Sequence, residues 1–322
     1  MHLHTNKDDF KELIIATASN TIGLQNHQVE KDYYVSLFLK ELSKLENNVE
    51  IVFKGGTSLS KCYDVIDRFS EDIDLTIKFP NVKAGRGLRK RLKENIIATI
   101  DQLGMKFINP DEIQSDRDFN HYEVEFERLF ESTPEMIPHI KIETIAVYKP
   151  YPCIKKQVGN YITKYLLEIA EGPRLITKYN LDTFEMNIQS IDRTFIDKLF
   201  ALCDYHIAKT YERYSRHIYD IHMIWNSGLL DQEVVADITD DVISDRQRLS
   251  TYNPSSKAGS RPKDILREII DENVFESDYN DITLGFIYNK VSYDKSIGTL
   301  KAILETKLIP EEIKVYKTKK IR

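Results

Sequence analysis

The sequence has little cysteine and no long apolar segment. Only three of its 322 residues are cysteines, and their odd number and lack of C-x-x-C spacing disfavour both a disulfide framework and a cysteine-based zinc site. The apolar runs are a handful of residues long, far short of the ~20 needed to span a bilayer. The first residues, MHLHTNKDDF, lack the basic and then apolar pattern of a secretion signal. We therefore expect a cytoplasmic protein that makes no membrane contact.

Neither sign of charge dominates the chain. It has 45 Lys and Arg against 51 Asp and Glu, a net charge of −6, which disfavours a protein that coats nucleic acid through bulk charge. Basic residues do cluster locally, because residues 86–93 and 314–322 each carry five of them and no acid. These two segments are either a solvated surface and a frayed end or local surfaces that attract phosphate.

The length and the periodicity of the sequence predict two domains. A chain of 322 residues exceeds what one hydrophobic core usually supports. Helical spacing occurs in residues 9–20 (with Asp8 or Asp9 as the cap), 29–45 and 86–104, and short β-branched or alternating runs predict strands at residues 49–53, 72–79, 121–130, 139–148 and 184–191. After residue 193 helical patterns dominate. We predict a first domain of helices and strands over residues 1–193 and an all-helical domain over residues 194–322.

Two carboxylates begin one of the predicted strands. Alternate side chains of an extended strand point the same way, so Asp72 and Asp74 share one face while Ile73 and Leu75 share the other. Adjacent carboxylates repel each other, and a fold tolerates this mainly where a cation lies between them. Oxygen ligands suit a hard cation, above all Mg²⁺ that also holds phosphates. The alternative is an edge strand whose outer face happens to be acidic.

A Gly-Gly turn precedes these carboxylates. The predicted strand at residues 49–53 runs into Gly55 and Gly56, and Thr57 and Ser58 then open a short helix. Glycines let backbone N–H groups approach a phosphate closely, and hydroxyls nearby can donate further hydrogen bonds. A Gly-Gly pair alone is more often a simple turn. Followed by a strand with two carboxylates, it predicts a phosphate cradle beside a metal site.

Glu143 is the predicted third carboxylate. Residues 139–148 alternate, so that Lys141 and Glu143 lie on one face and Ile140 and Ile142 on the other. On a neighbouring strand Glu143 would join the two aspartates. Three acids can bridge two cations, which steady the attacking and leaving oxygens of a phosphoryl displacement. The alternative is an ordinary exposed glutamate.

The chain resembles the AbiEii/AbiGii toxin family, a branch of the DNA-polymerase-beta-like nucleotidyltransferases, in its motifs G-G-T-S-L-S and R-F-S-E-D-I-D-L. Further matches are V-E-K-D-Y (residues 29–33), R-T-x-x-x-K (193–198), R-x-S-R-H-x-Y-D (213–220) and D-Y (278–279). Ile221 replaces a family Leu, and His217 stands where some relatives carry Asp, which leaves the role of that position open. The resemblance implies an α+β protein, in which a nucleotidyltransferase fold with a mixed β-sheet flanked by helices precedes a helical domain that completes the active-site cleft.

The resemblance also implies a reaction and its residues. A nucleoside triphosphate (NTP) binds with Mg²⁺, and a nucleoside monophosphate passes to an acceptor with release of pyrophosphate. The implied catalytic residues are Asp72, Asp74, Lys198 and Asp220; of these Asp72 and Asp74 would hold the metal, and Gly55, Gly56, Thr57 and Ser58 would bind the nucleotide phosphates. Beside the resemblance, the alternation adds Glu143 as a metal ligand, and Arg68, Arg216 and Lys54 are further nucleotide-binding candidates by their positions.

General chemistry gives the residues of the helical part plausible roles. A lysine that faces the cleft can neutralise charge on the leaving phosphates, as Lys198 would. Asp220 can either orient Lys198 or act as a base on the acceptor hydroxyl. Arg213, Arg216 and Asp220 are spaced i, i+3 and i+7, which predicts one helix face that presents all three.

The implied biological role is that of the toxin in a bacterial toxin–antitoxin or phage-defence pair, with a cognate antitoxin as partner. The acceptor suggested by relatives is RNA, with transfer-RNA 3′ ends favoured and the basic segments 86–93 and 314–322 as contact surfaces. Two alternatives stay open: transfer to a protein or small-molecule hydroxyl at the same metal site, and a nucleotide-binding protein that holds a partner without transfer. The intact set of candidate catalytic residues favours catalysis.

Overall fold

The computed structural model describes residues 1–45, 49–79, 84–115, 117–133 and 136–316. Most of the predicted basic tail, residues 317–322, therefore lies outside the described residues. No helix within the described ranges is both long and apolar enough to cross a membrane.

A mixed sheet of seven strands forms the centre of the described structure. The strands are β1 (Ile51–Lys54), β2 (Ile73–Ile77), β3 (Lys106–Phe107), β4 (Phe119–Glu125), β5 (Ile140–Ile145), β6 (Cys153–Val158) and β7 (Phe184–Gln189), and their order across the sheet is β3-β4-β5-β2-β1-β7-β6. β1 pairs antiparallel with β2 and parallel with β7, and β2 pairs parallel with β5. The predicted mixed sheet and α+β class are thus confirmed.

Helices precede, interrupt and follow the sheet. They are α1 (Lys7–Asn20), α2 (Asn26–Ser43), α3 (Gly55–Ser58), α4 (Arg86–Gln102), α5 (Tyr161–Leu167), α6 (Gly172–Tyr179), α7 (Ile191–Ile207), α8 (Arg216–Asn226), α9 (Gln232–Gln247), α10 (Pro262–Asp271), α11 (Glu276–Asp278), α12 (Leu284–Phe286) and α13 (Tyr293–Leu304). One-turn π-helices at Leu59–Tyr63 and Tyr279–Thr283 continue α3 and α11, and 3₁₀ turns lie at Leu3–Thr5, Pro110–Glu112 and Pro254–Ser256.

The predicted cap of the first helix was wrong. The side chain of Asn6 accepts a hydrogen bond from the backbone N–H of Asp9, so the helix begins one residue before Asp8 and two before Asp9. An amide oxygen serves this position as well as a carboxylate does. Asp9 instead contacts Lys178, 2.9 Å away.

Alternation along β2 decides which of its faces meets the core. Ile73, Leu75 and Ile77 are fully buried, as the period of two in the sequence predicts. Asp74, between them, therefore points from the opposite face of the sheet. Asp72, just before the strand, and Asp74 both line the cleft.

Helix α7 connects the sheet to the helices that follow. It begins directly after β7, where the Ser190 hydroxyl accepts a hydrogen bond from the N–H of Arg193 at 3.1 Å, and it packs against α8, α9 and α10. The predicted boundary at residue 193 falls within the first turn of this helix. The division into domains 1–193 and 194–322 stays a prediction.

Candidate active site

Three predicted site residues lie side by side across the sheet. Lys54 at the end of β1 is paired with Asp74 of β2, and Asp74 is paired in turn with Glu143 of β5. Side chains of paired residues on one face of a sheet are neighbours. The register therefore brings Glu143 beside the aspartates, in the arrangement that the alternation predicts.

Gly55 has a conformation and a neighbour that both require glycine. Its φ is +79°, in the left-handed region, and a Cβ at this position would lie 1.9 Å from Oδ2 of Asp74. No side chain fits such a contact. The turn after β1 therefore approaches the aspartate as closely as backbone alone allows.

We expect Gly55→Ala to lower nucleotide transfer about 100-fold, because a displacement of about 1 Å at a reacting group has an effect of that size. The strained φ should also cost about 1–3 kcal/mol of stability. Gly87→Ala is the matched control, since a Cβ there meets nothing within 4 Å and alanine favours the helix. Rates of nucleotide transfer and thermal unfolding of both variants test the prediction. A transfer rate of Gly55→Ala equal to that of wild type would contradict it.

The other predicted cradle residues divide into those that line the cleft and those that support it. Gly56 lines the cleft, and a Cβ there would lie 2.7 Å from Nη2 of Arg68. Thr57 and Ser58 are buried. The Thr57 hydroxyl donates to the carbonyl oxygen of Asp72 at 2.5 Å, and the Ser58 hydroxyl donates to that of Gly55 at 2.8 Å. Their hydroxyls therefore support the turn in this structure, and phosphate binding by these two residues stays a prediction.

The carboxylate cluster fits a divalent cation. Burial raises the pKa of Asp74 to about 6; the positive charge of Lys54 opposes this rise, and the charges of Glu143 and Asp72 add to it. Oδ1 of Asp72 is buried without a hydrogen-bond partner in the described part of the chain. A cation beside these oxygens would relieve both the repulsion and the unpaired atom.

The cluster does not form a complete metal cage by itself. No three His, Cys, Asp or Glu side chains among the described residues are arranged to hold a metal ion. Glu143 is ion-paired with Lys141, whose Nζ lies 2.5 Å from Oε1. Two carboxylates together with substrate phosphates are the usual protein site for Mg²⁺, so Asp72 and Asp74 suffice for that arrangement, and metal binding by Glu143 stays a prediction.

A buried group of three charges lies beside the carboxylates. Asp220 of α8 is fully buried and accepts hydrogen bonds from Arg68 Nε at 2.7 Å, Arg68 Nη2 at 2.8 Å and Lys198 Nζ at 2.6 Å. Burial acts to raise the pKa of Asp220, but the two cations outweigh it and hold that pKa far below its usual range. Burial also lowers the pKa of Lys198. Asp220 is therefore the shared counter-charge that anchors both cations.

The backbone at Arg68 is held by a segment near the end of the described chain. Residue Arg68 forms an antiparallel bridge with Ile287. The N–H of Phe69 donates to the carbonyl of Phe286 at 3.0 Å, and the N–H of Tyr288 donates to that of Asp67 at 2.7 Å. This short ladder fixes Arg68 where it meets Asp220.

The predicted common helix face of Arg213, Arg216 and Asp220 was only partly right. Helix α8 begins at Arg216, whereas Arg213 precedes it with a φ of +66°. Asp278 accepts hydrogen bonds from the backbone N–H groups of Arg213 and Ser215, at 2.5 and 3.0 Å, and so stabilises this turn. Arg216 lies 3.8 Å from Asp72, whereas Arg213 does not line the cleft.

These elements enclose a cleft of about 300 Å³. Its walls comprise Lys54, Gly55, Gly56, Arg68, Ser70, Asp72, Asp74, Thr76, Glu143, Ile145, Tyr148, Pro150, Gln189, Thr194, Asp197, Lys198, Ala201, Tyr205, Arg216, His217 and Arg246. The sequence predictions missed Ser70, which contacts the Thr57 hydroxyl at 2.9 Å, and Tyr205. Tyr205 follows Lys198 by seven residues, and this helical spacing could have placed it on the same face as Lys198.

His217 lines the cleft as a neutral ring. Burial and the charges of Lys198 and Arg216 hold its pKa well below 6.5. Its Nδ1 is buried without a hydrogen-bond partner in the described structure. The ring is tilted by 42° against that of Tyr205, with centroids 5.5 Å apart.

Other residues of the motifs hold elements together away from the cleft. Glu30 accepts hydrogen bonds from the N–H groups of Leu129 and Phe130 at 2.6 and 3.1 Å. Lys31 is buried and pairs with Glu71 at 2.5 Å. These contacts tie α2 to the segment after β4 and to the residue just before Asp72. These residues of the V-E-K-D-Y motif thus hold the elements around the cleft in place and do not themselves line it.

Comparison with known proteins identifies relatives of this arrangement. The family model described as AbiEii, nucleotidyl transferase AbiEii toxin of a type IV toxin–antitoxin system, matches residues 37–299, so that residues 29–33 lie outside the match. No curated protein sequence matches the chain. Among solved structures, MenT4, a nucleotidyltransferase toxin from Mycobacterium tuberculosis, is similar with a TM-score of 0.50 and 15% identity over 92% of this chain and 88% of that one. This similarity concerns the fold.

Proposed function

Because this chain belongs to the AbiEii family of nucleotidyltransferase toxins, we propose that it moves a nucleoside monophosphate from an NTP to an acceptor hydroxyl with Mg²⁺, and that the acceptor is RNA. The family makes the protein a nucleotidyltransferase of a type IV toxin–antitoxin system, which implies a nucleotide substrate and an antitoxin partner. The metal, the RNA acceptor, phage defence and a cytoplasmic location are parts of the proposal.

One observation carries the proposal above all. A single cleft combines the adjacent carboxylates Asp72 and Asp74 with the buried cation of Lys198. Nucleotidyl transfer needs these two kinds of charge, since a cation must neutralise the phosphates and a fixed positive group must offset the charge that develops on the leaving pyrophosphate. Because transfer uses both kinds of charge at once, their presence in one cleft supports the proposal.

Each group then has a defined task. Asp72 and Asp74 would hold Mg²⁺, which supplies Lewis-acid polarisation of the phosphate oxygens. The backbone at Gly55 and Gly56 lines the cleft beside the carboxylates, where it would meet the phosphates, and Lys198 would face them with its charge. Asp220 orients Lys198. Both oxygens of Asp220 already accept hydrogen bonds from cations and its pKa is strongly lowered, which argues against a role as base.

The basic segment of α4 is available to the acceptor only in part. Arg86 and Arg91 are exposed. Arg89 pairs with Asp118, and Lys93 donates to the carbonyl of Ile113 at 2.8 Å. The role of this helix in holding RNA, including a transfer-RNA 3′ end, is supported by the two exposed arginines and by its lack of acids over residues 86–93.

Incubation with each α-labelled NTP, Mg²⁺ and total cellular RNA or protein tests the proposal. We expect label in RNA, with loss of at least 100-fold in Asp72→Ala, because the cation would lose half of its protein ligands. Asp101→Ala, on the exposed side of α4, is the control and should label RNA normally. Label in protein alone would overturn the RNA acceptor, and absence of label with every nucleotide would favour a binding protein.

A further inference from the structure

We infer that Tyr205, stacked on Tyr214, is the platform on which the nucleobase of the bound NTP lies; this assignment rests on the proposed nucleotide transfer and names a part of the same cleft. The rings of Tyr205 and Tyr214 are stacked with centroids 3.6 Å apart and planes 15° from parallel. Tyr205 lines the cleft. Aromatic side chains bind bases of any sequence because every base has a π-face.

Helix α7 supplies the spacing that a nucleotide requires. Its cleft residues are Thr194, Asp197, Lys198, Ala201 and Tyr205, spaced as one helix face. Tyr205 follows Lys198 by two turns, a rise of about 10 Å at 1.5 Å per residue. The helix thus presents a cation, then a small residue, then an aromatic ring, in the order of phosphate, sugar and base.

The platform is fixed before any ligand arrives. Tyr214 covers one face of the Tyr205 ring, and the residues on both sides of Tyr214 donate their N–H groups to Asp278. A ring held in place loses little conformational entropy when a ligand stacks on it. Asp278, part of the D-Y pair at residues 278–279 that matches the family motif, thus helps to hold Tyr214 beside the cleft.

Tyr148 provides a contrast within the cleft. Its hydroxyl accepts a hydrogen bond from Asn253 Nδ2 at 2.7 Å, and no ring stack involving it is found in the described structure. It lies outside the α7 face that carries Lys198. Tyr205 is therefore the cleft tyrosine that meets the requirements of a base platform: it lines the cleft, Tyr214 supports its ring, and it lies two helical turns from Lys198.

Equilibrium binding tests the platform without any transfer step. The probes are NTP analogues with a non-cleavable α,β linkage and Mg²⁺, with inorganic tripolyphosphate as a probe that has phosphates and no base. We expect Tyr205→Leu to weaken binding of the analogues by about 5- to 150-fold and to leave tripolyphosphate binding unchanged. Tyr205→Phe should bind both probes as wild type does, and Tyr165→Leu on α5, away from the cleft, is the control.

The outcomes separate the platform from the reaction. Equal weakening of both probes in Tyr205→Leu would mean that the ring only shapes the cleft and would overturn the assignment. Unchanged analogue binding with a raised KM for the RNA acceptor would also overturn it, because the stacked base would then belong to the acceptor. If wild type binds the analogues through Tyr205 but labels no RNA, the platform stands and the proposed acceptor fails.

Discussion

Asp74→Asn is expected to reduce nucleotide transfer by about 1,000-fold or more. The substitution keeps the shape of the side chain and its approach to Gly55, but it removes one of the two charges that would hold Mg²⁺ against the phosphates. Loss of several kcal/mol of charge stabilisation corresponds to a decrease of this size. Transfer of labelled nucleotide at saturating NTP measures it. Overexpressed Asp74→Asn should also fail to halt growth.

The same substitution should make the metal-free protein more stable. In the native structure burial and two neighbouring carboxylates oppose ionisation of Asp74, so removal of its charge removes repulsion. We expect a rise in Tm of about 2–4 °C. Asp64→Asn is the control, since Asp64 is exposed and pairs with Lys164 at the surface. Normal transfer by Asp74→Asn, or arrest of growth by it, would disprove the role of this carboxylate.

Asp220→Asn is expected to have a large effect on both stability and transfer. It would leave Arg68 and Lys198 buried side by side without a counter-charge, and breaking a buried ion pair in this way costs about 3–5 kcal/mol. Lys198 would then lose its proton more readily, because burial already lowers its pKa and Asp220 is its hydrogen-bonded counter-charge. We expect the folded fraction to transfer nucleotide at least 100-fold more slowly.

A second buried pair supplies the control for Asp220. Asp32 of α2 and Lys61 of the π-helical turn after α3 are buried and ion-paired, and neither lines the cleft. Asp32→Asn should lose stability by a similar amount in chemical denaturation but keep its transfer rate per folded molecule. If Asp220→Asn behaves like Asp32→Asn in both measurements, the three-charge group is structural and has no part in the reaction.

Local patterns in the sequence predicted the carboxylate side of the site. The period of two in a strand placed Asp72 with Asp74, and the same rule applied to residues 139–148 placed Glu143 on the matching face. The register of β2 with β5 brings Asp74 and Glu143 together. Alternation depends only on neighbouring residues, so it can be recognised in the sequence before the fold is known. The catalytic and metal-binding roles of these residues stay predictions.

Local alternation could not predict which residues distant in the sequence would pair. Arg68 and Asp220 are 152 positions apart, and spacing alone gives no reason for one to bind the other. The resemblance singled out Asp220 but left its task open between base and orienting group. The cap at Asn6 and the inward bonds of Thr57 and Ser58 were missed for a related reason, because several polar side chains in a short segment compete for the same backbone groups.

The ladder between Asp67–Phe69 and Phe286–Tyr288 has a consequence for the timing of toxin production. At 5–20 residues per second a ribosome needs roughly 15 to 60 s to reach residue 288, and until then Arg68 lacks the backbone partners that hold it against Asp220. Chains released early by a stalled or broken message should therefore be harmless to the cell. The toxin is expected to become active only when its own translation is almost finished.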